Sequence, residues 1–173
     1  MVRKLWKVVT LLVYVVTLLR DQELSKQYNW VRIAGILTYF APLHPFVPFL
    51  ANTLLFDNLD CWLFPTRNDD APVGKHCESL AYQRSDKLYD ITSSTMVLLD
   101  IPDPEPVLLF IYAIRAVADL YVYRTGDTSI LRIIPNFFEV WVLVRYLSPS
   151  HPVFWLFLGS IAKIVQEQVL HSP

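Results

Sequence analysis

Six apolar stretches, separated by links rich in proline or charge, set what this chain can fold into. They run over Tyr28–Ala41, Phe46–Phe64, Glu78–Leu99, Glu105–Tyr123, Ser129–Leu147 and Pro152–Leu170. The last three have about the 20 residues that carry an α-helix across a hydrocarbon core. The first is shorter, and the third is polar in its first half. Hydrophobic residues make up 54% of the 173 and charged ones only 18%. Ordinary soluble domains carry roughly 25% charge, and this much apolar surface is easier to place in lipid than in one small core. A soluble helical protein is the competing reading.

The ends of the chain and the links between stretches sharpen this. Arg3, Lys4 and Lys7 precede Val8–Leu19, a run of 12 residues. That run is too short to span alone, and its basic start suits a helix lying in the membrane interface. No small-residue cleavage site follows, because Asp21 and Glu23 come next. The links Pro42–Pro48, Asp100–Pro106 and Ser148–Pro152 contain neither Lys nor Arg. With six spans, all three fall on one side. Arg20, Lys26, Arg67, Lys75, Arg124 and Arg132 fall on the other, with Lys163 nearby. This positive-inside asymmetry places the N-terminus and the segment after Phe56 on the cytoplasm-like face, or the matrix face of a mitochondrial inner membrane. The expected fold is therefore all-α: a polytopic membrane protein with six transmembrane helices plus an N-terminal interfacial helix. Residues 1–27 form that helix and 28–173 the membrane domain. The net charge of −1 gives no basic field for nucleic acid.

Chemistry concentrates between the second and third stretches. Asp57 and Asp60 close one apolar run, and Gly74, Glu78, Tyr82, Asp86 and Asp90 recur every four residues along the next, on one helical face. A hairpin of these helices would gather Asp57, Asp60 and Glu78. Three carboxylates suit a hard divalent ion such as magnesium, manganese or calcium. A solvated helix end with salt bridges to Arg84 and Lys87 is the simpler alternative. In the fourth stretch Arg115 and Asp119 lie four apart and can pair; otherwise Arg115 can hold an anionic group such as a phosphate. Arg132, Glu139 and Arg145 allow the same two readings. Cys61 and Cys77 flank the segment without zinc spacing, so they are either bridged or free.

These residues resemble the signature of the CDP-alcohol phosphatidyltransferases, six-span membrane enzymes that include cardiolipin synthases and phosphatidylglycerophosphate synthases. That signature reads D-x2-D-G-x2-A-R-x8-G-x3-D-x3-D. Asp57 and Asp60 fall on its first two aspartates, Cys61 on the glycine, Phe64 on the alanine and Pro65 on the arginine. Gly74 falls on the second glycine, Glu78 on the third aspartate and Tyr82 on the last, with every interval kept. Ile101-Pro102 through Arg115-Ala-Val117 resembles the family's fourth-span segment, with Ala116 in place of an aspartate.

In the family the aspartates hold two divalent ions, and the last acts as base on the acceptor alcohol. The resemblance implies metal ligands at Asp57, Asp60 and Glu78, and a phosphate or lipid site at Arg115, Arg67 and Gly74. It also implies that chemistry is lost. Tyr82 stands where the base should be, and a phenol with pKa near 10 replaces neither ligand nor base at neutral pH. Pro65 removes a cation, although Arg67 is two residues away. Losing a ligand and a base costs several orders of magnitude in rate.

Three functions follow. The first is a non-catalytic structural or accessory subunit of a larger membrane complex, with phospholipid such as cardiolipin and other subunits as partners. The second is an active metal-dependent phosphatidyltransferase. The third is an unrelated polytopic membrane subunit. In the second, Asp57, Asp60 and Glu78 bind one metal and Arg115 binds phosphate; a rescue by Asp86 and Asp90 would need a different helix register, two turns deeper.

Overall fold

The computed structural model describes residues 2–21, 26–56, 80–147 and 150–170. Regular structure among these residues is helical throughout, without strands. Helix α1 is Val2–Arg20 and α2 is Gln27–Leu37, continued by a 3-10 turn at Thr38–Phe40. Helix α3 is Phe46–Ala51, continued by a π turn at Asn52–Phe56. Helices α4 (Leu80–Asp100), α5 (Pro106–Thr125), α6 (Ser129–Ile133), α7 (Phe137–Leu147) and α8 (Pro152–Leu170) follow. They fall into two compact units, Met1–Pro102 and Asp103–Pro173.

In the first unit, α1 packs along α4, and α2 packs against both α4 and the π turn. Helix α1 turns Lys7, Tyr14 and Leu18 inward, a spacing that keeps one helical face on its neighbour. The core also takes Ile36 from α2 and Tyr89, Met96 and Val97 from α4.

The second unit packs α7 against α5 and α8, with α6 touching α5 and α8. Ala118, Val122 and Leu131 form a buried cluster, flanked by Ile130 and Ile134. Pro106 starts α5 at a position where a missing N–H costs nothing. Gly126 ends it in the left-handed region at φ 77°, its N–H donating to the Val122 carbonyl at 2.7 Å.

The stretch Ser129–Leu147, expected as one span, is two helices. Pro135 has no N–H to donate and its ring crowds the carbonyl four residues back, so the helix stops at Ile133 and restarts at Phe137. The Asn136 side-chain oxygen accepts the Glu139 N–H at 3.4 Å and helps restart it.

Helix α5 is long and apolar enough to cross a membrane; α8 and the α3–π segment are shorter apolar helices. Large apolar side chains crowd the outer surfaces of α1, α5 and α8, among them Trp6, Leu12, Phe110, Val117, Val153 and Phe157. Each unit thus carries large apolar side chains on its outer surface.

Candidate functional site

Asp57, Asp60, Arg67, Gly74 and Glu78 lie outside the described residues, as do Cys61, Phe64, Pro65, Lys75 and Cys77. The rest of the expected site is defined. Tyr82, Asp86 and Asp90 occupy the first turns of α4, and Arg115 is in the middle of α5.

Tyr82 is 6% exposed and faces α2. Its ring meets Tyr28 edge-on, with centroids 5.3 Å apart and planes at 64°. The Arg32 guanidinium lies over it, with Cζ 4.6 Å from the Tyr82 centroid, 5.4 Å from that of Tyr28 and 5.7 Å from that of Tyr89. The faces of the three rings carry the negative part of their quadrupoles, which attracts a cation. Arg32 is fully buried, and its charge needs such company there.

The same guanidinium reaches α4 through polar contacts. It donates to the Asp86 carboxylate at 2.8 Å and to the Ser85 hydroxyl at 3.0 Å. Ser85 in turn donates to the Asn29 side-chain oxygen. Lys87 bridges Asp86 at 2.8 Å and Asp90 at 2.6 Å. Asp86 and Asp90 are thus engaged by Arg32 and Lys87, so a divalent ion would have to displace both cations to use them. Among the described residues, no group of three or more His, Cys, Asp or Glu side chains is placed to hold a metal.

A second polar layer lies further along the helices. The Tyr89 hydroxyl donates to the Asn52 side-chain oxygen. The Asn52 amide donates to the carbonyls of Pro48 (2.7 Å) and Gly35 (3.1 Å) and to the Thr38 hydroxyl (3.2 Å). Gly35 makes room for this knot. A Cβ there would lie 2.6 Å from the Asn52 oxygen and 2.9 Å from the Tyr89 hydroxyl. A third layer closes the set: Lys7 pairs with Asp100 at 2.5 Å and donates to the Tyr39 carbonyl at 2.8 Å. The three layers run in the same order along α2 and α4, so these helices are parallel.

Arg115 does not present an open anion site. Its Nε lies 3.1 Å from the Asp119 carboxylate, and its other arm donates to the Ile134 carbonyl at 3.0 Å. That carbonyl is at the helix break before Pro135, so the guanidinium satisfies an acceptor the proline leaves exposed. Two further ion pairs of this unit join Glu139 to Lys163 at 2.9 Å, and Arg145 to Glu105. In the link after α5, Asp127 accepts the Ser129 N–H at 2.9 Å. Hydrogen bonds from the Ser129 side chain and backbone hold its pKa below the usual aspartate value, with smaller help from Tyr121 and Arg132.

No known protein family, curated protein or solved structure matches the chain. Arg32 and Asn52 were not among the residues expected at the site. Arg32 had a signal, being the single charge in Tyr28–Ala41, and a charge in an apolar span needs a buried partner. Asn52 had none, because its role depends on the π turn that aims it.

Proposed function

We propose that this protein is a non-catalytic membrane subunit with the body of a CDP-alcohol phosphatidyltransferase. Its six apolar segments form the membrane domain, and it serves a larger assembly while contacting phospholipid. One observation carries the reading. Tyr82, at the position of the family's last aspartate, is packed under Arg32, and the carboxylates one and two turns further along α4 are ion-paired. The face that would meet metal and acceptor alcohol is occupied by a ladder that locks α2 to α4. Alternating charge on that ladder, Arg32, Asp86, Lys87 and Asp90, supplies its own neutralisation without an ion. The apolar outer faces of α1, α5 and α8 suit lipid and neighbouring membrane subunits. An organelle inner membrane, such as that of a mitochondrion, is a fitting setting.

The test is turnover. Purified full-length protein is incubated with CDP-diacylglycerol, magnesium or manganese, and glycerol 3-phosphate or phosphatidylglycerol as acceptor. The expected result is no CMP above the protein-free control. Metal-dependent CMP release would overturn the proposal in favour of an active enzyme. Mild solubilisation of native membranes should yield the chain in a complex much larger than itself; recovery as a lone monodisperse protein would remove the subunit role.

A further inference from the structure

The geometry points to α1 as a seventh membrane span, its outward face covered by phospholipid acyl chains and its amino end on the membrane face opposite the start of α4. This rests on the membrane-protein reading above and departs from the in-plane helix expected from the sequence.

Three links of the first unit fix the direction of α1. Tyr28 meets Tyr82 where α2 and α4 begin, and Lys7 meets both Tyr39 and Asp100 where they end. Lys7 is therefore at the far end of the α2–α4 pair. The carboxyl end of α1 is at the near end, because the chain from Asp21 to Lys26 can reach no more than roughly 18 Å. Between those ends Tyr14 and Leu18 stay buried, so α1 remains against its neighbours and runs antiparallel to α4. Its apolar band, Leu5–Leu19, extends about 22 Å, and the long stems of Arg3, Lys4 and Arg20 carry their charges on to the headgroups of a hydrocarbon core about 30 Å thick.

The surface of α1 argues for lipid as occupant. An in-plane helix shows water a polar face. Here the exposed side chains from Leu5 to Leu19 are Leu5, Trp6, Val8, Val9, Leu12, Val13, Val16 and Leu19, without a polar one. The two threonines return their hydroxyls to their own helix, Thr10 to the Trp6 carbonyl at 2.9 Å and Thr17 to the Val13 carbonyl at 2.8 Å. That leaves no hydroxyl requiring water. Exposed charge is confined to the ends, with Arg3 and Lys4 at one and Arg20, paired with Asp21 at 2.8 Å, at the other. Cations at both rims of an apolar band complement lipid phosphates on both leaflets, and their stems can reach out to them. Trp6 sits near one rim, where indoles favour the interface. The one charge within the band, Lys7, faces inward to Asp100. Arg20 and Lys26 lie at the near end of the α2–α4 pair, on the other membrane face.

Cysteine mapping tests this in a full-length background carrying Cys61→Ala and Cys77→Ala. Val2→Cys and Asp21→Cys variants are exposed to a membrane-impermeant maleimide in sealed vesicles of the expressing membrane. The expected result is that one site labels at once and the other only after the vesicles are opened. Labelling of both from the same side would overturn the span. A nitroxide at Leu12→Cys, in vesicles of phosphatidylcholine and cardiolipin, should relax with oxygen and not with a water-soluble nickel chelate. Access to neither would mean that a protein surface covers this face, and access to nickel that water does; both overturn lipid as occupant. Extraction of the whole chain by alkaline carbonate would instead refute the membrane-protein reading itself, which separates the two failures.

Discussion

The Arg32 guanidinium lies over the Tyr82 ring, its Cζ 4.6 Å from the ring centroid, and the same group donates to Asp86 one turn further along α4. A single side chain of α2 thereby holds two consecutive positions of the face on which the family resemblance would place catalysis. The phenol in place of a carboxylate is thus part of a packed contact between helices.

Tyr82→Phe should be much milder than Tyr82→Ala. The phenylalanine keeps a ring face for Arg32 and an edge for Tyr28, whereas alanine removes a buried aromatic, a change that typically costs about 3–5 kcal/mol. Tyr82→Asp restores the signature residue but places another carboxylate beside a guanidinium already committed to Asp86, so CMP release should stay absent. Unfolding in mixed micelles reads the first comparison and the turnover assay the second.

Breaking the ladder on one side should be worse than removing it. Arg32→Met leaves Asp86 with Lys87 alone, and Asp86→Asn leaves the buried cation without its carboxylate. Loss of one partner of a buried pair costs about 3–5 kcal/mol. The double variant Arg32→Met/Asp86→Leu should recover part of that loss. A double-mutant cycle of unfolding midpoints checks it, and strict additivity would contradict the pairing.

Gly35→Ala should destabilise the first unit. The added methyl would sit 2.6 Å from the Asn52 side-chain oxygen, which is fixed by its bond from Tyr89. Overpacking of this kind typically costs about 1–3 kcal/mol. Combining it with Asn52→Ala should cost less than the two separate losses added together, since the second change clears the space and removes the knot.

Arg115→Met should weaken folding through the helix break. It leaves the Asp119 carboxylate buried without its cation and the Ile134 carbonyl without its donor. The expected loss is again about 3–5 kcal/mol, with Arg115→Met/Asp119→Leu partly restored. Binding of short-chain phosphatidylglycerol, measured by calorimetry in detergent, should be unchanged relative to wild type in any variant that remains folded.

The link after α5 should respond to acid. Asp127 has a pKa below its ordinary value in the folded chain. Its contribution is therefore present above the unfolded pKa of 3.8 and is lost as pH falls through the lower folded value. Ser129→Ala removes the side-chain bond that lowers the pKa most, so the Asp127 carboxyl should titrate closer to 3.8 when followed by carbon-13 NMR.

The all-helical class and the starts of α5 and α8 were legible in the chain itself. Pro106 and Pro152 act through local backbone geometry, which a sequence states directly. The Arg115–Asp119 pair was legible too, because four residues is one turn. The role of that pair was not, since Pro135 had to break a helix before the Ile134 carbonyl, 19 residues beyond Arg115, needed the guanidinium. Only tertiary structure brought Arg32 to Tyr82 and Asp86, and Lys7 to Tyr39 and Asp100. Those contacts join residues 32 to 93 positions apart, and no periodicity within one segment encodes which helices lie side by side. Buried charge decided them: each cation, once out of water, is stable only where a carboxylate or an aromatic face is waiting.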